Sequence, residues 1–433
     1  MNRTCLIMTL VFGLLCGDFL AAENWPGWRG PRGDGTSIDK GVPTEWDGAS
    51  GKNIRWKVPI PGKGHASPII WKDRVFVVSC LPDEKSRVLI ALDRTSGKQV
   101  WQQTVLKANL ETKHSLNSRA SGTPVTDGKL VYVTFFQPDD RTVPAPNVGG
   151  ERLITPGQMV VAAYDFEGNQ TWRVTPGGFI SAHGYCSSPV VFEDLLIVNG
   201  DHDGESYVVA LDRKTGETVW KVAREHKIRS YVTPLIRKIN GQPQMVMSGS
   251  QSIVSLDPRS GARNWKIDGP TEQFVASMVY DGELFFMSAG FPTYHVMGIR
   301  PDGKGNVTES HVAWHVTNAR CYVPSPVLVD GHLFVADDRG TANCFNAKTG
   351  ERLWQARLGN HFSSSLLAAN GQAYFLADDG TMKIVRPGKE LDVVAENKLG
   401  ELCIASPAIS QHFLFIRAEK HLYCIGTGKA AGD

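Results

Sequence analysis

One clause recurs eight times along this chain and limits what it can fold into. It runs Ser or Thr, usually Pro, an apolar pair, a tight turn and an apolar strand. The fullest copy is Ser325-Pro326-Val327-Leu328-Val329-Asp330-Gly331-His332-Leu333-Phe334-Val335. Its opening recurs at Ser67-Pro68, Thr123-Pro124, Ser188-Pro189, Thr233-Pro234 and Ser406-Pro407, and without proline at Ser277-Met278 and Ser365-Leu366. Spacings of about 40 to about 65 residues suit one four-stranded propeller blade per repeat.

A second clause supplies a strand ending in Asp, a turn Gly, and a Trp four residues later. It reads Ala91-Leu92-Asp93, Gly97, Trp101, and returns at Asp165, Gly168, Trp172 and at Asp212, Gly216, Trp220. Further copies end in Trp265 and Trp354, and a degenerate one runs from Asp302-Gly303 to Trp314. Asp starts the turn through its side chain and Gly accepts positive φ. The indole then covers apolar area between sheets. Hairpin signals such as Asp127-Gly128, Asn240-Gly241, Asp330-Gly331 and Asn370-Gly371 separate strand from strand. No long segment has a helical period.

These observations predict an all-β fold, an eight-bladed β-propeller of four-stranded antiparallel blades. Trp56 has the spacing to Ser67 that Trp314 has to Ser325, so residues 53–58 read as an outer strand without a blade of its own. The C-terminus, Cys403 to Ile425, stops before its outer strand. The two ends are therefore expected to share one blade, which removes open sheet edges. Ala395 stands where blade seven should carry Trp, so that junction is expected to be the weakest.

The expected organisation is a signal peptide over 1–22, a Gly/Pro/Trp-rich arm over 23–50, the propeller over 51–426 and a polar tail over 427–433. Arg3, the apolar run Leu6–Leu15 and Ala21-Ala22 before Glu23 have the layout of an export signal. Cys16 raises a lipoprotein alternative, which Gly13-Leu14-Leu15 fits poorly. A periplasmic or extracellular monomer is expected, with no further membrane-spanning run. A net charge of +2 gives no global argument for nucleic acid. Cys80, Cys186, Cys321, Cys344, Cys403 and Cys424 show no C-x-x-C spacing; export permits disulfides among them, but Cys344 and Cys424 fall where other blades carry Ala or Ser, which favours small core residues. Asp201-His202-Asp203-Gly204-Glu205 resembles a calcium loop but falls where other blades place a hairpin.

Chemistry is expected at the channel mouth, where the segments leading into the inner strands converge. They carry His65, Arg119, His183 with Tyr185, Arg229 with Tyr231, Arg320 with Tyr322, and His361, against one acid, Glu401. Such a set either captures an anionic small molecule, peptide or protein, or bonds neighbouring blades and plugs the channel. Two long loops, Leu106 to Ser118 and Phe136 to Gly157, belong on the same face. No catalytic triad, paired carboxylates or metal motif stands out.

The small-Leu-Asp-x-x-x-Gly-x-x-x-Trp clause resembles the repeat of quinoprotein-like propellers, and the resemblance covers Lys52 to Ile425. That superfamily holds pyrroloquinoline quinone (PQQ) alcohol dehydrogenases and the non-enzymatic propeller of the outer-membrane barrel-assembly machinery. The opening Asn24-Trp25-Pro26-Gly27-Trp28-Arg29-Gly30-Pro31 looks like the leader of exported bacterial propellers of this class. The dehydrogenases carry adjacent cysteines over the quinone, and no Cys-Cys occurs here. Their calcium ligands and catalytic Asp also find no match. The resemblance thus implies a binding or scaffolding propeller with no cofactor, the alternative being a PQQ- and calcium-dependent dehydrogenase.

Overall fold

The computed structural model describes residues 23–148 and 151–427. The expected signal peptide with Cys16, and residues 428–433 of the tail, lie outside them. No helix occurs among the described residues. Seven blades follow one another at 69–107, 125–179, 190–223, 235–268, 279–316, 327–357 and 367–398. The eighth is made of Ala408–Ser410, Phe413–Arg417 and His421–Ile425, and Ile54–Pro59 completes it as the outer strand. Trp56 faces Cys424 across that closure. Blade 4 gains a short fifth strand, Gly305–Asn306, from the degenerate turn of blade 5.

The two sequence clauses meet as one row across each sheet. In blade 6, Val327 faces Phe334, Phe334 faces Cys344, and Cys344 faces Trp354. Blade 1 aligns Ile69, Phe76, Ala91 and Trp101 in the same way. A small residue beside each Trp holds the volume of the row steady, as a close-packed interior requires. Except at Trp354, whose indole N–H has no partner, each of these indole N–H groups then reaches the turn of the next blade. Trp56 donates to the Arg94 carbonyl at 2.9 Å, Trp101 to Phe166 at 2.8 Å, Trp172 to Arg213 at 3.1 Å and Trp314 to Ala347 at 2.9 Å. At the first junction the turn Gly97 has φ 70°, and a Cβ there would stand 2.9 Å from the Trp56 ring. The buried apolar clusters accordingly lie between blades, one joining blades 3, 4 and 5 through Ile197, Met245, Trp265 and Phe285.

Blade 7 inverts the row: Leu367, Tyr374, Ile384, Ala395. The large and small positions are exchanged, so no indole reaches blade 8. The N-terminal arm covers this junction instead. Trp46 is 2% exposed and shares a buried cluster with Ala395, Leu422 and Ile425. Its backbone N–H donates to Asn397 Oδ1 at 2.8 Å, and Asn397 Nδ2 donates to the Thr44 carbonyl at 3.0 Å. The junction expected to be weakest is thus the one that receives an indole from outside the repeat.

The first part of the arm crosses the channel. Trp25 exchanges two backbone hydrogen bonds with Ile70, and Thr126 donates to the Pro26 carbonyl. Arg29 is fully buried and donates to the carbonyls of Ser325, Pro326 and Leu366. Thr36 bridges Ala368, and Ser410 Oγ donates to the Glu23 carbonyl. One segment therefore ties the inner strands of blades 1, 2, 6, 7 and 8 together.

Trp46→Ala should cost about 3–5 kcal/mol, the same range as Trp220→Ala inside the repeat. Denaturant unfolding of the two variants checks this. A cost below about 1 kcal/mol for Trp46→Ala would show that the arm does not support the ring.

Candidate functional site

The inner wall of the channel is built by the repeat itself. In six of the eight clauses the first residue carries a hydroxyl that accepts the backbone N–H of its counterpart one blade earlier, while the buried Ser67 hydroxyl has no partner. Ser67 donates to Thr123 at 3.0 Å, Thr123 to Ser188 at 2.9 Å and Thr233 to Ser277 at 3.1 Å. Ser277 donates to Ser325 at 2.9 Å, Ser325 to Ser365 at 3.0 Å and Ser365 to Ser406 at 2.8 Å. This girdle satisfies N–H groups at the start of short strands, where the ladder has not yet begun.

On the lead-in side of the girdle lies a pocket of about 420 Å³. His65, His183, Tyr231, Tyr322 and His361 line it, as does Trp28 of the arm. Trp28 donates its indole N–H to Ser277 Oγ at 3.2 Å and also borders a second cleft of about 790 Å³ between the arm and blades 2–4. It therefore separates the two ends of the channel. The larger cleft carries arginines, but each is paired: Arg213 with Asp127, Arg237 with Asp34, Arg259 with Glu193.

The remaining expected residues stand elsewhere. Arg229 is buried and ion-paired with Asp203 at 2.8 Å. Arg119 donates to the Glu111 carbonyl within its own loop. Arg320 is exposed and does not line the pocket, and Tyr185 packs in the core between blades 2 and 3. The structure therefore does not bring the three arginines together, because two are held by other partners, Arg119 by the Glu111 carbonyl and Arg229 by the Asp203 carboxylate. No Lys or Arg lines the pocket. The acidic run after Gly200 is likewise engaged: Asp201 pairs with Arg224, and Asp203 with Arg229.

Two of the pocket histidines, His65 and His183, are held neutral. Burial, with Arg417 and Lys113 nearby, lowers His65 to about 4. Burial, with Arg229 nearby, lowers His183 to about 3. Burial pushes the Cys186 thiol up to about 12, which keeps it protonated. His183 stacks on Tyr231 and meets His114 edge-on, with ring centroids 6.2 Å and 5.4 Å apart. His361 is turned by Asp378, its Nδ1 lying 2.7 Å from Oδ2, while Ser363 Oγ donates to the same carboxylate at 3.0 Å.

Sequence reasoning missed three parts of this site. Trp28 as its floor, His114 and Asn117 from the long loop, and the girdle were not assigned to it. The loop was singled out by length, and the girdle was visible as the repeat itself.

Fold and channel define the class: a PQQ-like repeat propeller of eight blades with a small polar pocket on one side. The family model described as outer membrane protein assembly factor BamB matches residues 36–147, 137–280 and 307–386. The chain belongs to this PQQ_2 family. BamB of Yersinia pestis is 22% identical over 330 residues, 69% of this chain and 80% of that protein. BamB of Escherichia coli K12 is 24% identical over 205 residues, 45% of this chain and 48% of that protein. The crystal structure of BamB from Moraxella catarrhalis superposes with TM-score 0.59 at 13% identity, covering 88% of this chain and 99% of that one. A europium-containing methanol dehydrogenase gives TM-score 0.60 at 13% identity over 94% and 98%. These likenesses to solved structures concern the fold.

The three carboxylates of PQQ would call for cations, and no Lys or Arg lines this pocket. Among the described residues no group of three His, Cys, Asp or Glu side chains could hold a metal. Cys186 lines the pocket without an adjacent cysteine.

Both histidines are depressed below their usual 6.5, so the unfolded chain binds protons more readily than the folded one. Stability is then full above about pH 6.5 and falls as pH drops toward the folded-state values. The melting temperature should fall more steeply between pH 6.5 and 4.5 for the parent than for the His65→Gln/His183→Gln double variant. Parallel curves would refute the neutral-histidine pocket.

Proposed function

We propose that this chain is an exported, non-enzymatic propeller scaffold in outer-membrane protein assembly that holds a protein partner on the mouth face. The observation that carries the reading is an apolar rim. Leu116, Leu153, Phe291 and Leu402 are 56%, 59%, 46% and 43% exposed. All four lie on segments that enter an inner strand or join the second and third strands of a blade, so topology puts them on one face. Leu116 and Leu153 come from the two long loops, which bond to each other through Thr112 and Thr155. Exposed apolar side chains carried on one face suit an interaction surface. Family membership supports the assembly role, and the layout of residues 1–22 supports periplasmic delivery. The expectation against acylation at Cys16 is not borne out by the family membership.

Loss of the gene should lower the amount of β-barrel protein in the outer membrane. The parent chain should restore it. A Leu116→Glu/Phe291→Glu/Leu402→Glu variant should fail while staying folded, whereas Val100→Glu/Val219→Glu on the outer wall should restore it. Full restoration by the rim variant would count against the docking face.

The proposal also holds that no PQQ or calcium is used. Calorimetric titration of the mature chain with both should give no heat beyond dilution. Saturable PQQ binding that chelation abolishes would reverse this reading.

A further inference from the structure

We propose that the channel pocket is a carbohydrate subsite that takes one or two uncharged sugar rings. The inference concerns the channel wall rather than the docking rim: of the four rim residues Leu116 alone lines this pocket, and Leu153, Phe291 and Leu402 do not. Its volume of about 420 Å³ falls within the usual range for small-molecule sites.

The lining chemistry selects the ligand class. A sugar presents an apolar C–H face and a rim of hydroxyls that both donate and accept. Trp28, Tyr231 and Tyr322 supply aromatic surface for the first. Around them stand groups for the second. Ser188, Thr233, Ser325, Ser365 and Ser406 of the girdle all line the pocket. A hydroxyl that accepts a backbone N–H keeps its own O–H to donate. Asp338 supplies an acceptor, and Asp378 fixes His361 through Nδ1, leaving Nε2 for the pocket.

Charge excludes the nearest competitors. With no Lys or Arg in the lining and an Asp338 carboxylate present, a phosphate or carboxylate ligand would be buried without a counter-ion. The neutral state of His65 and His183 points the same way. A flat heterocycle would use the aromatic wall of His114, His183 and Tyr231 but would leave the hydroxyl ring unanswered.

The test titrates the mature chain with maltose, cellobiose and N-acetylglucosamine, following Trp fluorescence and heat. Glucose 6-phosphate and adenosine serve as the charged and heterocyclic probes. At least one saccharide should bind with a Kd between about 10 μM and about 1 mM. Raising salt to about 0.5 M should leave that value unchanged, since no exposed ion pair is formed. Asp338→Asn and Tyr231→Phe/Trp28→Phe should each retain the parent melting temperature. The first should weaken binding at least tenfold, and the second should shift the fluorescence response. The proposal is overturned if none of the three saccharides binds at about 1 mM. Tighter binding of glucose 6-phosphate or adenosine, or full affinity in Asp338→Asn, would overturn it as well.

Discussion

Six of the eight blade junctions are tied on the inner wall by the same hydrogen bond, passed from one blade to the next. A backbone N–H at the start of one inner strand donates to the Ser or Thr hydroxyl that starts the next, as from Ser277 to Ser325 and on to Ser365. Each bond is worth only about 1 kcal/mol net, but leaving the buried N–H unpaired would cost more. The bond also sets spacing. A hydroxyl on a short side chain reaches a neighbour's backbone only at one separation, so the girdle fixes how closely the inner strands approach the axis. The pocket above it inherits that diameter.

Outside the girdle, size complementarity takes over. Ala91 beside Trp101 and Cys344 beside Trp354 place one small and one large residue in register. Blade 7 breaks the rule with Ile384 beside Ala395, and the arm restores the lost contact through Trp46. The repair comes from a segment that is remote in sequence and lacks the repeat. The same arm also crosses the inner strands on its way from Glu23 beside blade 8 to Thr44 and Trp46 on the outer wall of blade 7.

The fold was legible because its signals are local and multiplied. Asp-Gly and Asn-Gly turns, the Ser/Thr-Pro clause and the Gly-x-x-x-Trp clause each recur, and even the shared blade could be read from the spacing of Trp56. Turns without glycine were harder, yet Lys72 and Glu193 hold φ near 53° and 51° in the same role. The site was legible only by position. Lead-in segments did contribute His65, His183, Tyr231, Tyr322 and His361 to one pocket. Residue type misled at the arginines, because a long cation finds its nearest carboxylate or carbonyl, as Arg229 finds Asp203. Nothing local to Trp28 marks it as a floor, since its place depends on how an aperiodic arm crosses five blades.

Closure through Ile54–Pro59 and His421–Ile425 imposes an order in time. The first outer strand leaves the ribosome or a translocation pore at the outset, and its partner arrives last. Throughout that interval blade 8 has no outer edge, and Arg29 lacks the carbonyls of blades 6 and 7 that will bury it. Folding of this ring is therefore vectorially late: a chain stalled short of Cys424 retains two open edges, however many complete blades it already carries.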